Sequence, residues 1–188
     1  MALTIAAALL AVERVVYVWI GRAPDSFRRW CARPAVARLG EPVAVVRALF
    51  VAFKALQAAV FAGWCLAHGG GVPTPAAGGL VLDAAGVLIV AGQALNLLVF
   101  WRLGWTAVFF GDRLGYDVPR CEGFPFSLLR HPQYVGSVLT IWGLFLAARF
   151  PYDDWALLPA LETVYYAVGA SLEDATPAHQ APAMREES

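Results

Sequence analysis

Charge is what this chain has least of. Only 15% of its 188 residues are charged, where a soluble domain carries about a quarter. Apolar side chains take their place at 60% of the total, with a mean hydropathy of +0.61. The excess falls in long runs, so the chain reads as a polytopic membrane protein and not as a soluble domain with an oversized core. A surplus of positive charge is also missing. Fourteen basic residues balance fourteen acidic ones, which argues against a nucleic-acid partner, since that needs a basic face. Cysteine is sparse: three residues with no C-x-x-C give neither a disulfide framework nor a zinc site. His68, His131 and His179 are too scattered for a metal cluster. The start lacks a basic n-region, and Glu13-Arg14 interrupts its apolar stretch. It therefore reads as a retained first helix rather than a secretory signal. There is no internal repeat and no second domain.

What is present is a set of apolar runs of spanning length. Membrane helices need about 20 mostly apolar residues, and five segments meet or approach this: about Leu3–Gly21, Val43–Ala67, Leu80–Trp101, Tyr134–Ala148 and Trp155–Leu172. The expected fold is an all-α integral membrane bundle of about five spans. Its last two spans form a helical hairpin around the polar turn "RFPYDDW", with Pro159 a possible kink site. Residues 1–174 form the membrane domain, and the small, polar, Pro-containing stretch 175–188 is expected to be a disordered tail. Arginines orient the bundle. The first connection holds Arg22, Arg28, Arg29, Arg33 and Arg38, the second holds none, and the third holds Arg102, Arg113, Arg120 and Arg130. The positive-inside bias places the first and third connections and the C-terminus on the cytoplasmic side. Tyr17, Trp19, Trp64, Trp101, Trp105 and Trp155 fall near span ends, as an interfacial aromatic belt does.

Two ionisable residues fall mid-span. Lys54 and Glu162 are at matching depths of roughly 15 Å from the inner surface. They are expected to pair, because charge inside the bilayer is costly alone; Arg47 and Glu13 form a shallower candidate pair. On the third span, Gln93 is expected to bond a neighbouring helix, and Gly92 and Asn96 share a face.

The densest polar cluster is "RHPQYVG", Arg130 to Gly136, at the lip of the fourth span. Pro132 drives His131 out of helical geometry and suits a helix start. The new helix then offers unpaired N–H groups and a positive dipole end. Arg130 adds a fixed charge, and Gly136 permits close approach. Two readings are about equally good on this physics: a cradle for a carboxylate or phosphate, or an ordinary helix start with a snorkelling arginine and an interfacial tyrosine.

That cluster, the late acidic pair Glu173-Asp174, "FFGD" and "FPF" together resemble the phospholipid methyltransferase family. The family is phosphatidylethanolamine N-methyltransferase-like, within the isoprenylcysteine carboxyl methyltransferase group. The resemblance is strongest from Gly86 to Asp174. It implies N-methylation of phosphatidylethanolamine, or its mono- and dimethyl forms, toward phosphatidylcholine, with S-adenosylmethionine as cofactor. The implied cofactor pocket draws on three places: Ala91 and Gly92 of a third-helix G-x-G; Arg130, His131, Pro132, Tyr134 and Gly136 of the loop; and Glu173 and Asp174. This chain has Val90 where the family has the first glycine, and Asp174 where it has a second glutamate. His131 and Glu173 are the candidate catalytic residues, with no metal. Arg130 and the helix start suit the cofactor carboxylate, the acidic pair its ammonium or ribose, and Tyr134, Trp101 or Trp105 its sulfonium. Asp112 of "FGDRLG" is a further candidate pocket carboxylate. The implied partners are a membrane phospholipid and the bilayer. The implied location is a bacterial inner membrane or the endoplasmic reticulum, with the active site facing the cytoplasm. The alternatives are a carboxyl O-methyltransferase of the isoprenylcysteine type and a non-catalytic membrane scaffold.

Overall fold

The computed structural model describes residues 1–69, 78–119 and 121–175; the expected tail beyond Ala175 lies outside them. The described residues form α1 (Leu3–Arg22), α2 (Pro24–Cys31), α3 (Pro34–Ala37), α4 (Pro42–Ala67), α5 (Gly79–Val108), α6 (Pro132–Ala148) and α7 (Leu157–Asp174), joined by turns. Four of these helices open on proline: Pro24, Pro34, Pro42 and Pro132. At a first helical position the missing N–H costs nothing and the fixed φ is already helical.

All five expected spans are helices. α1, α4 and α5 are long and apolar enough to cross a membrane. α6 is apolar but has 17 residues, and α7 has 18 and carries acidic groups. On α5 the apolar residues Leu80, Val87, Val90, Leu97 and Trp101 form one outward stripe, each at least two-thirds exposed. An apolar stripe of that extent suits lipid and not water. The chain is an integral membrane helical bundle.

Three details differ from the expectation. The first connection holds two short helices; α2 buries Phe27 and Cys31 while Arg29 stays outward, an amphipathic segment too short to register as a span. α5 runs past Trp101 and turns at Gly104, whose φ of 73° and ψ of 171° suit glycine almost alone. Pro159 lies in the first turn of α7, where it starts the helix instead of kinking it.

Among the described residues, α5 and α6 form the most extensive contact between helices. They run antiparallel, and small residues seven apart on each helix face one another: Gly92 with Gly136, and Ala85 with Gly143. A Cβ on Gly136 would lie 2.6 Å from the Gly92 carbonyl oxygen, and one on Gly143 would lie 2.8 Å from that of Ala85. Such backbone proximity is how helices associate in lipid, where no hydrophobic drive separates helix from solvent. Gln93 Nε2 donates to Thr140 Oγ1 at 3.0 Å across the same seam. α7 completes the hairpin with α6, through Trp142 Nε1 donating to Thr163 Oγ1 at 3.0 Å. It also ties to α1, through Tyr165 donating to the Ala7 carbonyl at 3.0 Å.

The end of the bundle opposite the polar cluster is closed by Arg149, which is 3% exposed. Its guanidinium donates to Asp154 at 2.8 Å and to the carbonyls of His68 and Gly69 at 2.6 and 3.1 Å. Trp64 donates to the other Asp154 oxygen at 2.7 Å. One carboxylate thus joins the end of α4 to the α6–α7 turn. Burial pushes the Asp154 carboxyl up, but the hydrogen bonds from Arg149 and Trp64 outweigh it and hold the group below the usual range.

Two predictions follow from these contacts. Gly143→Val should lower the unfolding temperature in detergent, by overpacking worth about 1–3 kcal/mol. Gly86→Ala on α5 meets nothing within 4 Å and should be neutral or stabilising, by up to about 1 kcal/mol; equal effects of the two substitutions would place the helix seam elsewhere. Asp154→Asn should cost about 1–3 kcal/mol at neutral pH. A lowered folded pKa contributes stability above the unfolded value of about 3.9 and loses it as pH falls through the folded value. The gap between wild type and Asp154→Asn should therefore shrink below about pH 4. A gap that stays constant in acid would mean the carboxylate charge is not what matters.

Candidate active site

Because α6 and α7 are antiparallel, the start of one abuts the end of the other. Pro132 begins α6 and leaves His131 as its N-cap, with φ −125° and ψ 67°. Glu173 and Asp174 are the last residues of α7. His131 therefore lies between two carboxylates 43 and 42 residues away: Nε2 is 3.0 Å from Asp174 Oδ1, and Nδ1 is 3.5 Å from Glu173 Oε2. Arg130 Nε is 2.9 Å from the same Asp174 oxygen. Tyr134 donates its hydroxyl to Glu173, and its ring stacks on His131 with centroids 5.5 Å apart. Asp174, the shorter of the acidic pair, still reaches both Arg130 and His131.

This cluster forms the mouth of a cavity of about 610 Å³, within the usual size of a small-molecule site. Arg130, His131, Pro132, Tyr134 and Glu173 line it. α5 contributes Gln93, Asn96 and Phe100, and the turn after α5 contributes Asp112 and Arg113. That turn is braced from α2, where Arg28 donates to the Arg113 carbonyl at 3.3 Å. Asn96 Oδ1 is buried with no hydrogen-bond partner among the described residues and is packed against Gly136, where a Cβ would come within 2.7 Å of it.

Three expected site residues are placed elsewhere. Gly92 is turned toward α6, where its missing side chain makes room for Gly136 and Thr140. Ala91, one residue and about 100° away, is exposed on α5. Gly136 is the other half of the helix seam. These glycines bring the cavity walls together and do not line the cavity. Trp101 and Trp105 are 77% and 60% exposed on the outside of α5, which leaves Tyr134 as the expected aromatic that faces the cavity.

The mid-span charges pair differently from the expectation. Lys54 Nζ is 3.2 Å from Glu13 Oε1 and also donates to Gln57 and Tyr166 at 3.2 and 3.3 Å. Glu162 instead accepts from Gln57 Nε2 at 2.7 Å. Lys54 and Glu162 share a depth, but Gln57 stands between them. Arg47 is exposed and has no part in the network. Glu13, Arg14, Lys54 and Gln57 continue the cavity inward. Arg14 had only the signal of a cation in an apolar run, where it interrupts the first span.

The phospholipid methyltransferase family matches this chain over residues 81–176. That stretch contains the α5–α6 seam, the His131 loop and the acidic pair. A phosphatidyl-N-methylethanolamine N-methyltransferase of Arabidopsis thaliana is 36% identical over 87 residues, covering 46% of this chain and 51% of the plant protein. A Schizosaccharomyces pombe protein of the same name is 33% identical over 98 residues, covering 50% of this chain and 48% of the yeast protein. A phosphatidylethanolamine N-methyltransferase of Rattus norvegicus is 34% identical over 84 residues, covering 44% of this chain and 41% of the rat protein. The chain thus spans about half the length of the curated relatives it matches. No solved structure matches it. With the match covering just over half of its residues, and holding both halves of the clustered site, the chain belongs to the phospholipid methyltransferase family.

Proposed function

We propose that this protein is an S-adenosylmethionine-dependent phospholipid N-methyltransferase acting on phosphatidylethanolamine or its mono- and dimethyl forms, with its active site at the cytoplasmic face of the membrane. The observation that carries this reading is the meeting of the His131 loop with Glu173-Asp174 at the mouth of a cavity that continues between membrane helices. A soluble cofactor and a lipid head group can meet there without either leaving its own solvent. The names of the relatives favour an amine acceptor over a carboxylate.

The residues present fit the cofactor. Carboxylates suit its ammonium or ribose hydroxyls, the α6 start and Arg130 suit its carboxylate, and Tyr134 offers an aromatic face to a sulfonium. When bound, S-adenosylmethionine supplies an electrophilic methyl group. The chain's own residues must then hold the amine and remove its protons. A lipid ammonium resembles lysine, with a pKa near 10.4, so on the order of one molecule in a thousand is nucleophilic at neutral pH. Glu173, fixed by the Tyr134 hydroxyl, orients the cofactor. His131 accepts the amine proton and hands it toward Asp174, whose side chain is one-third exposed beside an Arg130 that is 74% exposed. That route ends in water.

Expression in a cell lacking methylated phosphatidylethanolamines, followed by lipid extraction, should reveal mono-, di- or trimethylated species. An unchanged lipid profile, with the protein made and inserted, would reject the activity. His131→Ala should lower turnover by about 10²–10⁴-fold, most at acidic pH where free amine is scarcest, while leaving S-adenosylhomocysteine binding near wild type. Glu173→Gln should weaken that binding and leave the pH profile unchanged. Normal binding with a rate recovered at high pH would make Glu173 the base and exchange the two roles.

A further inference from the structure

The inner half of the cavity contains an arginine that the cofactor reading does not use. Arg14 lies on α1, one helical turn below the Glu173 cluster. Its side-chain carbons pass 3.9 Å from the position a Cβ would take on Gly169, and Gly169 is four residues from Glu173. The guanidinium stacks on the Tyr166 ring at 3.7 Å and stands 5.8 Å from that of Tyr134. The Arg14 side chain is 11% exposed, yet Nε and one terminal nitrogen are buried without a hydrogen-bond partner among the described residues. The nearest carboxylate oxygen, on Glu13, is 3.9 Å away and is drawn off by Lys54 at 3.2 Å.

A guanidinium with two N–H groups idle in a membrane interior is expensive. It is compatible with the fold if a ligand completes it. Its planar donor fork matches a phosphate or carboxylate. The surroundings decide which. Arg14 shares this part of the cavity with the paired Glu13 and Lys54, the same cavity also has the apolar Phe50, Phe61, Ile141 and Leu144 on its wall, and Arg14 lies further into the bundle than Arg130 and the α6 start, which are suited to the cofactor carboxylate. An anion held inside the bundle, in a cavity that also offers apolar walls to acyl chains, describes the phosphodiester of a lipid and not the amino acid end of a soluble cofactor.

We propose that Arg14 is the phosphate anchor of the substrate lipid. This rests on the phospholipid methyltransferase reading and adds the group that selects a phospholipid over other membrane amines. With the phosphate held at Arg14, the ethanolamine arm points up one turn toward His131 and Glu173, and the chains lie against the apolar wall.

Binding tests this without turnover. Purified protein in non-ionic detergent is titrated with a short-chain phosphatidylethanolamine, with a phosphate-free N-alkyl ethanolamine and with S-adenosylhomocysteine. Arg14→Gln should weaken phosphatidylethanolamine roughly 10- to 100-fold, the range of a charge-assisted hydrogen bond, and leave the other two ligands within about threefold. Arg14→Lys, which keeps the charge but loses the fork, should fall between. If Arg14→Gln does not fold, the wild type alone still decides: it must bind the phospholipid at least about tenfold more tightly than the phosphate-free amine. Loss of S-adenosylhomocysteine affinity with unchanged lipid affinity would make Arg14 a cofactor residue and overturn the proposal. So would equal loss for both amines, or no loss at all. Displacement of the lipid by inorganic phosphate at physiological ionic strength would reassign the site to a free anion. A wild type that binds both lipids as predicted yet methylates neither would refute the proposed activity and leave the Arg14 assignment intact.

Discussion

The approach of α5 to α6 at Gly92, Gly136 and Gly143 is the contact on which the rest of the site depends. Lipid tails are as apolar as leucine, so two membrane helices gain little from burying leucine against leucine. They gain from bringing backbones together, and only residues without side chains allow that. Once α6 is fixed against α5 in this register, Gln93 reaches Thr140 and Asn96 reaches the wall of the cavity. The loop that opens α6 is then held at one end of the bundle. The third-helix glycine retained from the family pattern thus shapes the pocket by building its scaffold, and Val90, at 69% exposure toward lipid, fits a position with no packing demand on it.

A second constraint acts along the axis of the bundle. Glu162, Tyr166, Gly169 and Glu173 recur every three or four residues, so they share one face of α7. Glu13 and Arg14 of α1 and Lys54 and Gln57 of α4 meet that face. Each charge taken from water must be answered nearby, and most of the answers come from other helices: Lys54 to Glu13, Gln57 to Glu162, Tyr134 to Glu173. At Gly169 that face touches the Arg14 side chain, whose Cδ lies 3.9 Å from the position a Cβ would take. The polar column gives the bundle a fixed rotation of α1, α4 and α7 about their axes, and its upper end becomes the proposed reaction site.

Much of this was legible in the residues because the rules involved are local. Hydropathy located the spans, Pro132 marked the start of α6, and arginine bias separated the two ends. The cluster at Arg130–Tyr134 and its acidic partners were legible through their resemblance to a family, and the antiparallel hairpin brings them together. Pairing among buried charges was not legible. Depth follows from counting residues, but partner choice depends on rotational phase about each helix, and a single intervening amide, Gln57, redirected Lys54 to Glu13. The amphipathic α2 was missed because eight residues make no hydropathy signal, and the turn at Gly104 because a glycine among apolar residues looks like any other.

The distribution of partners also says where ligands belong. At the far end of the bundle, Arg149 is buried and its donors go to Asp154 and two backbone carbonyls. That arginine is a structural tie and asks for nothing more. Arg14 is almost as buried and has aromatic faces, but its Nε and one terminal nitrogen have no hydrogen-bond acceptor among the described residues. The two arginines differ in what the fold supplies to them, and the difference coincides with the cavity: Arg14 lines it, and Arg149 does not. Stability alone would have favoured an apolar residue at position 14, since a buried cation without an acceptor is costly. Its presence beside the His131–Glu173 cluster is accounted for if the missing acceptor arrives with the substrate.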